Sequence, residues 1–71
     1  MEDLLKRITV NPKVMAGKPV IRGTRITVDL ILELVASGMT LKEITKDYRI
    51  SVDDVRVALL YAAKVISKKK H

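Results

Sequence analysis

Two helix-start signals restrict this chain more than any other feature: T-x-x-E at Thr40–Glu43 and S-x-x-D at Ser51–Asp54, eleven residues apart, with no proline after Pro19. In such a box the hydroxyl accepts the backbone N–H three residues on, and the carboxylate reaches back to the N–H of the capping residue. Nothing beyond Pro19 interrupts a helix once it has started. The spacing leaves room for a short helix at about 41–47, a turn through Tyr48, Arg49 and Ile50, and a further helix from Ser51 to about 66. Ahead of both, Thr27 can cap a helix over about 28–37, with Gly38 placed where a left-handed residue ends it.

Apolar spacing assigns an inward face to each helix. Val28, Ile31, Leu32 and Val35 recur at i, i+3, i+4 and i+7 in the first; Leu41 and Ile44 serve the second; Val52, Val55, Leu59, Ala62 and Ile66 serve the third. A helix followed by a short and a longer helix across a tight turn is the trihelical plan of a helix-turn-helix domain. A three-helix bundle with no nucleic-acid role has the same periodicity, so the pattern alone leaves both open.

The first 27 residues have another character. "RITV", "PVI" and a second "RITV" are short β-rich runs separated by "NPKVMAGK" and "RGT". They predict a strand near 7–10, a loop, and a hairpin with strands at about 19–21 and 25–27. A lone two-stranded hairpin is marginal in water, so the arm is expected to pair with the same arm of a second subunit. Expected at the interface of a homodimer are Val20, Ile21 and Ile26 of the arm, Leu30 and Leu34 of the first helix, and Val57, Leu60 and Tyr61 of the third. The expected fold class is mainly α: three helices over 28–66 on the trihelical plan, preceded by a basic β-hairpin arm over 1–27 and followed by a basic tail over 67–71. All three belong to a single domain.

With 71 residues the chain supports one small core, and its only aromatic residues are Tyr48 and Tyr61, too few for a platform that stacks single-stranded bases. The absence of cysteine removes disulfides and thiolate metal sites, and the N-terminus lacks the apolar core of a secretion signal. The longest apolar run, "VALLYAA" at 57–63, is far short of a membrane span, so a cytoplasmic protein is expected. The net charge of +6 is unevenly distributed. Residues 1–27 carry six cations against Glu2 and Asp3, residues 28–63 carry four cations against six acids, and residues 64–71 carry four lysines and no acid.

No catalytic constellation is expected. The only histidine is His71, at the end of the chain, and the adjacent Asp53 and Asp54 diverge on a helix, where they suit its N-terminal dipole. No metal-ligand spacing is present, and no cofactor is implied. "GKPVIRGTR" fails as a phosphate loop because Thr24, not lysine, follows Gly23.

Duplex DNA is the partner that the charge favours, through Lys18, Arg22 and Arg25 of the arm, Lys42 and Lys46 of the second helix, Arg49 of the turn and Arg56 of the third helix. Most of these cations have a plainer reading. The arm residues also make sense as turn architecture, Lys42 and Lys46 as a solvated face with Glu43 and Asp47, and the lysine tail as a solubilising terminus. Asp53 and Asp54 are an obstacle, because they stand where a recognition helix meets the phosphates.

The order N-P-x-V-x-x-GKPVIRGTRI-x-V, "LILELVASGMTLKEITKDY", "SVDDVRVALLYAA" closely resembles the small domain-of-unknown-function family numbered 433, over about residues 8–66. Gly17, Lys18, Pro19, Arg22, Gly23, Thr24 and Arg25 carry the signature. The resemblance implies a homeodomain-like helix-turn-helix and an autoregulatory, DNA-binding antitoxin whose partner resembles a PIN-domain ribonuclease toxin. It assigns no functional residues, and this chain has no long segment after its third helix with which to wrap a toxin. The expectation is a homodimeric DNA-binding antitoxin or regulator; the alternative is an adaptor that docks a protein through exposed apolar helix faces without binding DNA.

Overall fold

The computed structural model describes residues 2–68. Lys69, Lys70 and His71, the end of the expected basic tail, lie outside the described residues. The order of elements is α1 (Glu2–Leu5), β1 (Ile8–Thr9), a tight turn at Met15–Gly17, β2 (Val20–Ile21), α2 (Val28–Ala36), α3 (Leu41–Tyr48) and α4 (Val52–Ser67). A trihelical helix-turn-helix preceded by a short antiparallel β arm is therefore the fold.

Local chemistry sets the helix boundaries. At the start of α2, Thr27 is extended and its hydroxyl accepts the Leu30 N–H at 3.0 Å. At its end Gly38 takes φ 97°, and the Met39 and Gly38 N–H groups donate to the Leu34 and Val35 carbonyls. This is a Schellman closure, and the apolar residues on either side of it, Leu34 and Met39, both pack against the core. Both capping boxes form. The Glu43 N–H donates to Thr40 Oγ1 at 3.1 Å and the Thr40 N–H to Glu43 Oε1 at 2.9 Å; the corresponding bonds between Asp54 and Ser51 are 3.1 and 3.0 Å.

The arm differs from the expected hairpin. β2 pairs with β1, Ile8 opposite Ile21 and Thr9 opposite Val20, whereas residues 25–27 supply only a bridge from Thr27 to Val20 and a bond from the Ile21 N–H to the Ile26 carbonyl. β2 thus lies between two partners, both within its own chain. Its polar backbone is satisfied without a second subunit, which removes the reason for expecting arm-to-arm pairing. The chain leaves β2 through a turn in which the Thr24 N–H and hydroxyl both donate to the Ile21 carbonyl and Gly23 takes φ 78°.

α1 was not expected, and it changes what is buried. Ile21, Val28, Ile31, Ile44, Ile50, Val55, Val57 and Ala58 form the core, with Leu4, Leu5 and Ile8 packed on it from the N-terminal side. α4 packs against α2 and α3 as well as against α1 and β1. Its buried face is therefore broader than one stripe and turned toward Val57 and Ala58, leaving Val52, Leu59 and Ile66 exposed, Ile66 to 62%. Leu41 and Val35 are exposed too, whereas Leu34, expected on the outer side of its helix, packs against the core. Val20, Ile21 and Val57, expected at a subunit interface, are buried in the chain's own core and have no surface left for a partner. Ile26, Leu30, Leu34, Leu60 and Tyr61 are half-buried.

Candidate nucleic-acid interface

Three turns converge beside the start of α4. The turn after α1 brings Lys6 and Arg7, the turn after β2 brings Arg22 and Thr24, and the α3–α4 turn brings Arg49 and Ile50. With Ile21 and Asp54 they line an open cleft of about 390 Å³, in which four cations face one carboxylate. The buried side chains of Ile21 and Ile50 are its apolar floor.

Arg7 organises this end of the molecule. Its Nη1 lies 3.2 Å from Asp54 Oδ1 and its Nη2 lies 3.9 Å from Asp53 Oδ2, while its carbonyl accepts the Arg22 N–H at 2.7 Å. Asp54 Oδ2 takes the Ser51 N–H, so both of its carboxylate oxygens are engaged and its side chain is only 13% exposed. Asp53 also pairs with Arg56 Nη1 at 3.9 Å. The two acids that stood as an obstacle to DNA at the head of α4 are thus compensated by Arg7 and Arg56. An arginine donates planar, paired N–H groups and stays charged, which suits it to holding a carboxylate here.

The other expected contact residues are dispersed. Arg22 and Arg49 share the cleft, but Arg25 lines a neighbouring groove with Asn11, Pro12 and Val14, on the far side of Thr24. Lys18 is turned to the start of α2, its Nζ 3.5 Å from Asp29 Oδ2. Lys42 and Lys46 are exposed on α3, outside the cleft. Sequence reasoning missed Lys6 and Arg7. Arg7 meets Asp54 across 47 residues, a pairing that no local pattern reveals.

Arg49 occupies an unusual backbone position. Its φ of 54° and ψ of 43° are left-handed, and its N–H donates to the Thr45 carbonyl to close α3. Glycine or asparagine ordinarily makes this turn, because a β-carbon crowds the following carbonyl.

Comparison with known proteins places the chain. A family model described as "Protein of unknown function (DUF433)" matches residues 8–62. The chain belongs to that family. A crystal structure of a DUF433 member protein from Anabaena variabilis ATCC 29413, at 2.00 Å resolution, superposes with a TM-score of 0.81 at 26% identity, covering 94% of this chain and 67% of that one. No curated protein matches the chain. The DUF433 match includes Arg22, Arg49, Asp53 and Asp54 but begins just after Lys6 and Arg7. The arginine that holds the α4 carboxylates thus lies outside the matched span. Among the described residues, no helix of this DUF433 member is long and apolar enough to cross a membrane.

Proposed function

We propose that this chain binds duplex DNA as a homodimeric regulator, in the role of the antitoxin of a toxin–antitoxin pair. The observation that carries the reading is the compensation of Asp53 and Asp54 by Arg7 and Arg56 beside a cleft lined by Lys6, Arg22 and Arg49. A helix-turn-helix meets DNA with the start of its second motif helix, here α4, while flanking cations fix the register on the phosphates. With the carboxylates occupied, that end of α4 presents a net positive surface. The unpaired apolar residues of α4 support the dimer: Leu59 and Val65 are each 40% exposed, Ile66 more so, and Val65 and Ile66 join Leu32 and Tyr61 along a groove between α2 and α4. A chain of 71 residues gains most of its missing buried area by covering such a face with a second copy. A ribonuclease-like toxin is the protein partner that the antitoxin role adds.

The test is a titration of the full chain against duplex from its own upstream region, beside a scrambled duplex, over a range of salt. The expected result is preference for the upstream duplex and a log–log salt slope that becomes shallower by about one for each phosphate contact removed, as in Arg22→Ala or Arg49→Ala. Equal, weak binding to both duplexes, insensitive to those substitutions, would instead favour the adaptor, with the groove between α2 and α4 as its docking face.

A further inference from the structure

We infer that the cleft between the arm and the α3–α4 turn seats a single phosphate-type oxyanion, with Arg22 and Arg49 as its main donors and Lys6 at its rim. The four cations that line the cleft divide by partner. Lys6 and Arg7 each have an acidic partner within 4.0 Å, whereas among the described residues Arg22 and Arg49 have none, a condition that Arg25, Lys42 and Lys46 share outside the cleft. Two arginines without an acidic partner on one cleft add like charge to the same concavity, which an anion seated there would offset. The one carboxylate in the lining does not compete, since Asp54 spends one oxygen on Arg7 and the other on the Ser51 N–H.

Both donors are attached to a fixed frame. The Arg22 N–H is tied to the Arg7 carbonyl, the Thr24 hydroxyl is bonded on both sides within its turn, and the Arg49 N–H closes α3. Ile21 and Ile50 beneath them are buried, so the charges act over an apolar floor, where they are less screened than in open water. Guanidinium groups engage phosphate oxygens through paired, planar N–H donors. The left-handed backbone of Arg49 fits the same picture, because a costly conformation is kept where glycine would relieve it and the side chain is what glycine would lose.

The same chemistry is offered by a phosphodiester of duplex DNA and by the phosphate of a free nucleotide; the first source rests on the function proposed above, the second does not. The experiment follows backbone amide and arginine Nε–H signals of the ¹⁵N-labelled full chain by NMR at fixed ionic strength. Three probes are added separately: inorganic phosphate against a chloride control, a nucleoside 5′-monophosphate, and a short duplex. Expected are saturable shifts confined to Ile21–Thr24 and Arg49–Ser51 with phosphate, weakened at least ten-fold in the Arg22→Gln, Arg49→Gln double variant. That variant changes two exposed side chains, and unchanged dispersion elsewhere in its spectrum verifies its fold. Absence of saturable shifts, shifts spread evenly over Lys42 and Lys46 as well, or shifts indifferent to the double variant overturn the seat. If phosphate and nucleotide move the cleft signals and duplex does not, the seat stands and the DNA reading falls. If duplex binds while the cleft signals stay still with all three probes, the seat falls and the DNA reading passes to the remaining cations.

Discussion

At the scale of single residues, two arginines of the same cleft differ in what their side chains meet. Arg7 is spent on carboxylates. Its contacts are partly solvated, Arg7 being 46% exposed in the side chain, so the pairs contribute little to stability. Arg7→Ala is expected to lower the unfolding free energy in urea by no more than about 1 kcal/mol. It should nevertheless weaken duplex binding more than Lys42→Ala does, since it leaves Asp54 without its cation at the head of α4 and Asp53 with Arg56 alone. Arg49 is the reverse case, a side chain with no acidic partner within 4.0 Å among the described residues, on a backbone that disfavours it. Arg49→Gly removes the β-carbon from a left-handed position, and its stability in the same urea assay should stay level or rise by up to about 1 kcal/mol. The phosphate-induced shifts at the cleft should be lost in that variant, which would separate the backbone strain from the proposed anion seat.

Among the elements, the helices are decided by their ends and the arm by its neighbours. Ser51 closes a reciprocal box with Asp54, and Asp54 in turn holds Arg7, so one hydroxyl supports both the start of α4 and the link to the arm. Ser51→Ala should cost about 1 kcal/mol by thermal or urea unfolding. Ser51→Asp, which retains a capping acceptor, should recover most of that loss while adding an unwanted charge beside the cleft. The arm is held differently, by a central strand bonded on both edges within the chain and by α1 resting on α4. α1 has four residues and could not persist alone; it exists because Leu4 and Leu5 find a place on the core.

For the molecule as a whole, the question is what covers the apolar surface that the fold leaves exposed. Core positions and surface apolar positions make opposite predictions. Ile44 is fully buried, and Ile44→Ala should cost about 2–5 kcal/mol in unfolding free energy, a large share of what a domain of this size possesses. Leu59 and Ile66 are exposed on α4, and Leu59→Glu with Ile66→Glu should leave the far-ultraviolet circular dichroism unchanged. In sedimentation equilibrium the same double variant is expected to be monomeric where the parent chain is dimeric. A parent chain that sediments as a monomer would remove the dimer from the proposed function and leave the groove between α2 and α4 to another protein.

Three helices, their caps and the left-handed Gly38 were legible in the sequence because each depends on residues within four or five positions of one another. The basic character of the arm and turn was legible too, since charge is read directly from composition. The full breadth of the buried side of α4 was not, because it depends on α1 and β1, more than forty residues away, packing on that helix. Nor was the strand order of the arm, for three β-rich runs can pair in more than one way and only packing on the helices selects β1 against β2. The fate of Asp53 and Asp54 is the sharpest instance. Read along the chain they oppose a nucleic-acid role; in three dimensions Arg7 reaches them from the arm and offsets their charge. Local hydrogen bonding is written in neighbouring residues, whereas charge compensation depends on what the fold brings within a few ångströms, and that was decided by the tertiary structure alone.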